Sequence, residues 1–226
     1  MIHWEIFADA ETVAAEAAER IEVAARQAIG ARNCFRIVLA GGTTPERTYR
    51  RLRAAENAWS QWVIFFGDER CLPEGHPSRN STMAQRAWLA HVPIPAANVH
   101  TIPAELGPDE GARVYASSLK MQLPFDMVLL GVGEDGHTAS LFPGAHHPDG
   151  ELVHPVHAAP KPPPQRISLS RTALSQTRAL LVLVTGVEKR FAIRAWRTGV
   201  PLPIAELQPA CGVTVLMDAA AAGAPD

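Results

Sequence analysis

The sequence lacks the features that mark a membrane protein or a disulfide-stabilised secreted protein. No apolar run approaches the about 20 residues that a helix needs to cross a bilayer. The N-terminal residues show no basic segment followed by an apolar one, so no signal peptide is expected. Cysteine is scarce and odd in number (Cys34, Cys71 and Cys211), which argues against a disulfide framework or a CxxC metal site. We therefore expect free thiols in a reducing compartment and a cytoplasmic location.

An excess of charge of one sign is also missing. The chain has 21 Lys and Arg against 23 Asp and Glu, a formal net charge of −2. Such a balance provides no positive field for nucleic acid or an anionic membrane surface, so an anionic ligand must be held by local positive charge. With 226 residues, 47% of them hydrophobic, the chain can form a sizeable core. No internal repeat or linker divides it, and we expect a single domain over residues 1–226.

Short apolar runs bounded by turn residues alternate with helical patterns along the chain. Strands are predicted at residues 35–40, 62–66, 125–131, 166–169, 179–184 and 213–217, with weaker candidates at 98–102 and 152–156. The strand at 213–217 is expected to close the sheet. Helices are predicted from a cap at Asp9 to residue 29, where Gly30 ends the pattern, and at residues 46–56, 81–91, 109–122 and 187–197. This alternation predicts an α/β fold: a three-layer, doubly wound, mainly parallel (Rossmann-like) sheet with helices on both faces. The alanine-rich end, up to residue 226, is expected to be frayed.

Residues 125–144 are the most informative stretch. No polar residue interrupts the run from Met127 to Leu130, which predicts a strand buried on both faces. A glycine-rich loop follows, and it carries Glu134, Asp135, His137, Thr138 and Ser140. Because α/β proteins place their chemistry at the carboxyl ends of parallel strands, we take His137 as the centre of a candidate site.

Asp135 is close enough in sequence to orient the His137 imidazole and to stabilise its protonated form. This arrangement favours a histidine base that activates water. Ser140 is a poor candidate nucleophile, because no GxSxG elbow exists in the chain. Three glycines in residues 131–136 resemble a dinucleotide loop, but carboxylates where a pyrophosphate would bind argue against that interpretation.

A metal site is the competing interpretation of this region. Four further histidines follow closely, namely His146, His147, His154 and His157. Their spacing matches no HExxH or other ligand pattern, and a proline-rich loop carries them. We therefore favour the histidine base and predict no metal.

Residues 41–45 (Gly-Gly-Thr-Thr-Pro) join a predicted strand to a predicted helix. Thr44 is a natural N-cap, with Pro45 at the first helical position. Gly41 and Gly42 permit close approach of the backbone to a ligand, and free N–H groups at a helix start attract anions. The segment is neither a Walker loop nor a GxGxxG fingerprint. A capped turn that binds nothing remains an open alternative.

Charged side chains follow other predicted strands. Asp68, Glu69 and Arg70 could orient hydroxyls or stabilise an oxyanion, or they could form an ion pair that closes a loop. The proline-rich run 160–166, which leads into a predicted strand, could direct Lys161 or Arg166 at an anion, or it could be a rigid loop with solvated charges. Lys189 lies in the first turn of a predicted helix, where a cation is unfavourable unless an anion binds nearby.

Taken together, these segments resemble the 6-phosphogluconolactonase family, within the broader glucosamine-6-phosphate isomerase/deaminase group. The matching segments occur in family order and are residues 40–45, 66–70, 78–81, 130–144, 160–167 and 185–189. The deaminase branch typically continues Asp-Gly-His with Ile-Ala-Phe-Asn-Glu-Pro and carries Asp-Glu-Tyr at the position of residues 68–70. Both differences favour the lactonase branch. One departure is Thr43, where serine is usual; the hydroxyl is retained.

The resemblance implies hydrolysis of 6-phospho-D-glucono-1,5-lactone to 6-phosphogluconate, with no metal or organic cofactor. It implies that His137 is the base, that Asp135 orients it, and that Arg70 stabilises the oxyanion or positions the lactone. The residues implied to bind the phosphate are Gly42, Thr43, Thr44, Arg166 and Lys189. Those implied to bind the rest of the substrate are Gly41, Asp68 and Lys161.

Two alternatives remain at this point. One is a glucosamine-6-phosphate deaminase/isomerase in which Asp68 would shuttle the sugar proton. The other is a non-catalytic phosphosugar sensor that keeps the residue 41–44 segment without the chemistry. The expected partner is a small phosphosugar lactone, with no nucleic acid or membrane, on a monomer or small homo-oligomer.

Overall fold

The computed structural model describes residues 1–148 and 150–223, in which six strands form a parallel sheet and three form a small antiparallel one. The parallel sheet consists of β1 (Ile2–Phe7), β2 (Phe35–Leu39), β3 (Trp62–Phe66), β5 (Met127–Gly131), β8 (Leu180–Val184) and β9 (Val213–Asp218). The antiparallel sheet consists of β4 (Asp68–Arg70), β6 (Val153–Val156) and β7 (Arg166–Leu169).

The helices alternate with the strands, as the sequence pattern predicts. They are α1 (Ala10–Arg32), α2 (Thr43–Leu52), α3 (Asn80–Ala87), α4 (Pro108–Leu119), α5 (Arg171–Ser175), α6 (Arg190–Arg197) and α7 (Ala219–Ala222). Short 3₁₀ turns add to these at Trp59–Gln61, Leu89–His91, Ala96–Asn98, Ala104–Leu106 and Val187–Lys189. None of the helices within residues 1–148 and 150–223 combines the length and apolar character of a membrane span.

The order of the parallel sheet is β1-β9-β8-β5-β2-β3, which confirms the predicted doubly wound, mainly parallel fold. The chain leaves β2 toward β3 on one side and later returns to β5 on the other side of β2. This reversal is the topological switch point, and the loops that follow β2 and β5 diverge there to leave a crevice at the carboxyl edge. The tertiary arrangement therefore places the site between these two loops.

Helices cover both faces of the sheet, as edge strand β1 illustrates. Trp4 packs edge-on against Trp196 of α6, with ring centroids 4.8 Å apart. The next residue, Glu5, binds Arg20 of α1 at 2.7 Å. Because successive side chains of a strand point to opposite faces, α1 and α6 lie on opposite sides of the sheet.

Four expectations about the strands are wrong or incomplete. The strand β1 was not predicted, because its mixture of polar and apolar residues gives it a largely exposed burial pattern at the edge. Consequently β9 lies between β1 and β8 and does not close the sheet. Residues 98–102 form no strand; Val99 makes only an isolated bridge to Ile64. The separate antiparallel sheet was also not predicted: β6 and β7 were expected as strands, but β4 is only three residues long and the pairing of the three is not visible in the sequence.

Helix α1 begins as predicted but continues past the predicted end. The Asp9 carboxylate accepts the Thr12 N–H at 2.8 Å in a capping box. Gly30 does not end the helix, since a single glycine costs only about 1 kcal/mol inside a helix. The helix ends at Arg32, where Asn33 adopts φ 57° and donates its N–H to the Ile29 carbonyl.

The start of α2 also differs from the prediction. Gly42, with φ 109°, occupies the N-cap position, so Thr43 is the first helical residue and Pro45 the third. The prediction of Thr44 as N-cap is therefore wrong. Glycine suits this position because the backbone turns through a positive φ that a side chain would disfavour.

The later helical segments also differ from the prediction. Helix α2 ends at Leu52 rather than at residue 56. The helix predicted over residues 81–91 is interrupted after α3, and Leu89–His91 forms a separate 3₁₀ turn. Within the alanine-rich end, Ala219–Ala222 forms α7, capped by Asp218. The predicted fraying of residues 224–226 lies outside the described residues.

The two tyrosines of the chain stabilise the carboxyl ends of two neighbouring strands. The Tyr49 hydroxyl donates to the Ala40 carbonyl at 2.8 Å and accepts the Ala40 N–H at 2.9 Å. The Tyr115 hydroxyl does the same with the carbonyl and N–H of Phe66, at 3.1 and 2.9 Å. Both rings are buried, which raises the pKa of each phenol. Each phenol thus pairs backbone groups that the sheet itself leaves unpaired.

We predict that Tyr49→Phe and Tyr115→Phe each lower the free energy of unfolding by about 1–3 kcal/mol, because each leaves a buried N–H and carbonyl unpaired. Urea unfolding followed by circular dichroism measures this loss. Ser117→Ala serves as the control, since its exposed hydroxyl also donates to a carbonyl, that of Arg113. A Tyr variant as stable as this control would contradict the assignment.

Candidate active site

A cleft of about 200 Å³ opens at the carboxyl ends of β2, β3 and β5. Its lining includes eight of the predicted site residues: Gly41, Gly42, Asp68, Arg70, His137, Lys161, Arg166 and Lys189. These residues come from five separate segments of the chain. Four of the segments follow parallel strands that end at the same edge of the sheet. The fifth, with Lys161 and Arg166, is brought there by the pairing of β7 with β4, in which Arg166 lies opposite Arg70.

His137 and Asp135 form a hydrogen-bonded pair in the loop that follows β5. The Nδ1 atom of His137 lies 2.5 Å from Oδ1 of Asp135, and the His137 N–H also approaches that oxygen at 3.3 Å. Asp135 does not line the cleft itself. A Cβ on Gly133 would overlap the imidazole and the Asp135 carboxylate, so a glycine is required beneath the pair. With Nδ1–H donated to Asp135, Nε2 is left as the basic nitrogen.

The surroundings of His137 favour the neutral imidazole. Burial lowers its pKa below the ordinary value of 6.5, although the hydrogen bond and charge of Asp135 act in the opposite direction. The positive charge of Lys161 lowers the pKa further. The Phe142 ring, 4.7 Å from the imidazole between centroids, supplies part of the apolar contact. A histidine that is neutral near pH 7 can accept a proton.

Arg70 presents an unused donor at the cleft. Its Nη1 donates to the Ser78 carbonyl at 2.5 Å, which anchors the guanidinium. Its Nε is buried and has no hydrogen-bond partner among the described residues. A buried guanidinium donor without a partner matches an anionic oxygen of a ligand.

Arg166 is more constrained than the sequence suggested. Its Nε and Nη2 donate to the carbonyls of Pro163, Lys161 and Pro162 at 2.9–3.2 Å. The guanidinium also lies over the Phe142 ring, 5.5 Å from its centroid. Burial lowers the pKa of Arg166, but an arginine stays charged in any case. Arg166 therefore holds the segment that carries Lys161, and only Nη1 lacks a partner among the described residues.

Thr43 and Thr44 are not brought into the lining of the cleft. Thr43 is exposed at the first helical position of α2. Thr44 is buried, and its hydroxyl oxygen lies 2.6 Å from that of Thr185 in the loop after β8. The Thr44 hydroxyl thus links the start of α2 to the loop after β8. Within residues 41–45, Gly41 and Gly42 line the cleft.

Two residues that contact Asp68 were not predicted as site residues. The Asn80 amide donates to Oδ1 of Asp68 at 2.9 Å, and the Ser140 hydroxyl donates to Oδ2 at 2.6 Å. Asn80 lies within the segment 78–81 that matched the family pattern, which was the available signal. Ser140 was considered only as a nucleophile, and nothing in the sequence shows that it meets Asp68, 72 positions earlier.

Glu69 points away from the cleft and stabilises the start of α3. Its carboxylate accepts the N–H groups of Asn80 and Ser81 at 2.7 and 2.8 Å, and the N–H of Arg70 at 2.9 Å. It also lies 3.5 Å from Nε of the buried Arg79. The carboxylate replaces an N-cap side chain, because the capping residue Arg79 supplies none. Of the two interpretations of residues 68–70, the ion pair that closes a loop therefore applies to Glu69, and its partner is Arg79.

The later histidines do not converge with His137. The rings of His147 and His154 lie 5.3 Å apart, and His157 pairs with Asp109 at 3.2 Å. Burial, together with the charges of His147 and Arg171, lowers the pKa of His154 to about 4. Within the described ranges, no three His, Cys, Asp or Glu side chains are grouped so that they could hold a metal ion.

Comparisons with known proteins extend the resemblance over most of the chain. The family model described as glucosamine-6-phosphate isomerases/6-phosphogluconolactonase matches residues 8–216. The chain is 36% identical over 213 residues to a 6-phosphogluconolactonase of Mycobacterium leprae, covering 87% of this chain and 86% of that protein. It is 36% identical to one from Streptomyces coelicolor, in an alignment that covers 95% of this chain and 91% of that protein. A solved 6-phosphogluconolactonase from Thermotoga maritima superposes with a TM-score of 0.90 over 96% of this chain and 100% of that one, at 24% identity, which shows the shared fold.

We predict that Glu69→Gln lowers the free energy of unfolding by about 3 kcal/mol, because it leaves the Arg79 charge buried without its buried partner. Urea unfolding measures the loss. Glu105→Gln is the matched control: Glu105 contacts the same guanidinium at 2.9 Å, but its side chain is 38% exposed. We expect the control to lose less than about 1 kcal/mol. Equal losses in the two variants would contradict the structural role of Glu69.

Proposed function

Because the chain belongs to the glucosamine-6-phosphate isomerase/6-phosphogluconolactonase family, we propose that it hydrolyses 6-phospho-D-glucono-1,5-lactone to 6-phosphogluconate. The reaction is the second step of the oxidative pentose phosphate pathway. The observation that carries the proposal at the level of the site is the His137–Asp135 pair at a cleft that Arg70, Lys161, Arg166 and Lys189 also line.

His137 is the general base in this proposal. Its Nε2 takes a proton from water while the water oxygen forms a bond to the lactone carbonyl carbon. Asp135 holds the imidazole in the required tautomer and stabilises the imidazolium that forms, since its carboxylate accepts the Nδ1–H. Such acid–base assistance typically contributes about 10²–10⁴-fold to the rate.

The negative charge that develops on the carbonyl oxygen requires a donor, and Arg70 provides it. Arg70 lines the cleft, and its Nε has no other partner among the described residues, so we assign the oxyanion to this guanidinium. When the tetrahedral intermediate collapses, the bond from the carbonyl carbon to the ring oxygen breaks and His137 returns its proton to that oxygen. The product is the open-chain acid, and a water nucleophile makes a covalent enzyme intermediate unnecessary.

The phosphate is bound by cations and by the start of α2. Lys189 lines the cleft in the turn after β8, close to the Thr44–Thr185 contact that ties this turn to the α2 start. The backbone N–H groups of Thr43 and Thr44 lie in the first turn of α2, where they have no acceptor earlier in the helix. Thr43 and Thr44 thus contribute through the backbone, while Lys189, with Lys161 and Nη1 of Arg166, supplies the charge.

The comparisons favour the lactonase over the two alternatives. Relatives at 36% identity are named 6-phosphogluconolactonase, and no observation specifically favours a deaminase or a sensor. The substrate is a small phosphosugar lactone. The absence of a metal or cofactor, the cytoplasmic location, the lack of nucleic-acid partners and a monomeric or small oligomeric state remain predictions.

We predict that His137→Ala lowers kcat by about 10²–10⁴-fold and leaves binding of the product 6-phosphogluconate within a few-fold of the original. Acid release from fresh lactone, corrected for spontaneous hydrolysis, measures the rate. Isothermal titration with the product measures binding. Unchanged turnover in the variant would remove His137 from the chemistry.

The pH dependence provides a second check of the same residue. Because the neutral imidazole is the active form and burial lowers its pKa, kcat/KM should rise with pH and level off with a midpoint below 6.5. Asp135 raises the His137 pKa, so Asp135→Asn should shift that midpoint to lower pH as well as reduce kcat. A midpoint that moves upward in this variant would contradict the assignment.

We predict that Lys189→Ala raises KM about 10-fold or more with little change in kcat, because a phosphate contact remote from the carbonyl acts largely through binding. Steady-state kinetics on the lactone separate the two constants. Arg194→Ala is the control, since this exposed cation of α6 does not line the cleft. A collapse of kcat alone in Lys189→Ala would place Lys189 in the chemistry instead.

A further inference from the structure

The Asp68 carboxylate is held by neutral donors on both of its oxygens. Asn80 donates to Oδ1 at 2.9 Å and Ser140 donates to Oδ2 at 2.6 Å. All three residues are buried, with Ser140 completely inaccessible. No cation among the described residues lies within ion-pair distance of this carboxylate, so its orientation depends on these two hydrogen bonds.

Both donors are themselves fixed by backbone contacts. The Asn80 N–H is accepted by Glu69 at 2.7 Å, and its amide also donates to the Asp68 carbonyl at 2.9 Å. The Ser140 N–H donates to the Ser168 hydroxyl at 3.2 Å. Asn80 lies close to Gly41, and a Cβ on Gly41 would overlap the side-chain amide of Asn80. The arrangement thus joins the turn after β2, the start of α3 and the loop after β5 around one carboxylate.

We propose that Ser140 and Asn80 are positioning residues that hold Asp68 as a fixed acceptor for hydroxyl groups of the substrate ring. This inference rests on the proposed function. An ionised carboxylate has about four acceptor positions, and the two protein donors occupy one on each oxygen. The remaining positions are available to a ligand, because both Asp68 and Asn80 line the cleft.

The chemical consequence is selectivity for the hydroxyl pattern of the sugar. A fixed acceptor binds a ring that presents a hydroxyl at the right place, whereas a ring that lacks this hydroxyl leaves the remaining acceptor positions of the buried carboxylate unfilled. A carboxylate that could rotate would follow either ligand and discriminate less. Ser140 therefore acts on substrate choice through Asp68, although Ser140 itself does not line the cleft.

The test compares Ser140→Ala and Asp68→Ala, singly and together, on 6-phosphogluconolactone and on its 2-, 3- and 4-deoxy analogues. Loss of a hydrogen bond to a charged group is expected to raise KM about 10-fold, with kcat within about 3-fold. The parent chain should reject at least one deoxy analogue, and Ser140→Ala should reject it less strongly. In the Asp68→Ala background, Ser140→Ala should add less than about 2-fold, because its partner is already absent.

Ser170→Ala is the matched control. Ser170 is a buried serine whose hydroxyl also makes one hydrogen bond, to the Ala173 N–H at 3.1 Å, but it does not contact Asp68. The KM and the selectivity of the Ser170→Ala variant should not change, even if its free energy of unfolding falls as much as that of Ser140→Ala. Ser140→Cys keeps the approximate size with a weaker donor and should give an intermediate KM, which provides a measurement if the alanine variant does not fold.

The outcomes separate this inference from the proposed function. If the parent chain does not accelerate lactone hydrolysis, the proposed function is wrong, and the positioning role falls with it. If the parent chain is active but Ser140→Ala behaves like Ser170→Ala, the positioning role alone is wrong. The same conclusion follows if Ser140→Ala shows its full effect in the absence of Asp68.

Discussion

The candidate site depends on strand β4, which directs the carboxylates of two adjacent residues, Asp68 and Glu69, to opposite sides. Side chains alternate between the faces of β4, so Asp68 points to the cleft while Glu69 points into the protein. Glu69 accepts the first N–H groups of α3 and thereby places Asn80, whose amide holds Asp68. One buried carboxylate thus fixes the helix that orients the other. This chain of contacts explains why two neighbouring acidic residues serve different purposes.

The position of the cleft follows from the parallel sheet. Strands that are buried on both faces carry apolar side chains, so polar groups are found at the strand ends. At the carboxyl edge, β2 and β5 are neighbours although their carboxyl ends, Leu39 and Gly131, lie 92 positions apart, and the chain reverses direction in the sheet order there. The hydroxyls of Tyr49 and Tyr115 pair the last backbone groups of this edge. The rigid edge supports loops that bring His137, Arg70 and Lys189 around one cavity.

Much of the fold and part of the candidate site were predictable from the sequence. Long apolar runs such as β5 and β8 were located correctly, because burial on both faces gives a signal that no other element shares. Edge strand β1 and the three-residue strand β4 were missed, because half-exposed or very short strands carry little periodicity. Strands β6 and β7 were located, but their pairing in a separate sheet was not, because pairing joins segments that are distant in the chain. The Asp135–His137 contact was predictable from proximity in the chain. The Ser140–Asp68 contact was not, because it joins residues 72 positions apart.

The sequence by itself determined the fold class, the family resemblance and the chemical groups that are available at the strand ends. These depend on local patterns and on residue types, which are visible without coordinates. Only the tertiary structure decided what each group does. It showed that Glu69 is a structural cap, that Thr44 binds Thr185, that most of the Arg166 guanidinium is engaged by backbone carbonyls, and that Asp68 is held from both sides. The physical reason is that a hydrogen bond depends on distance and direction in space, and the order of residues along the chain does not specify either.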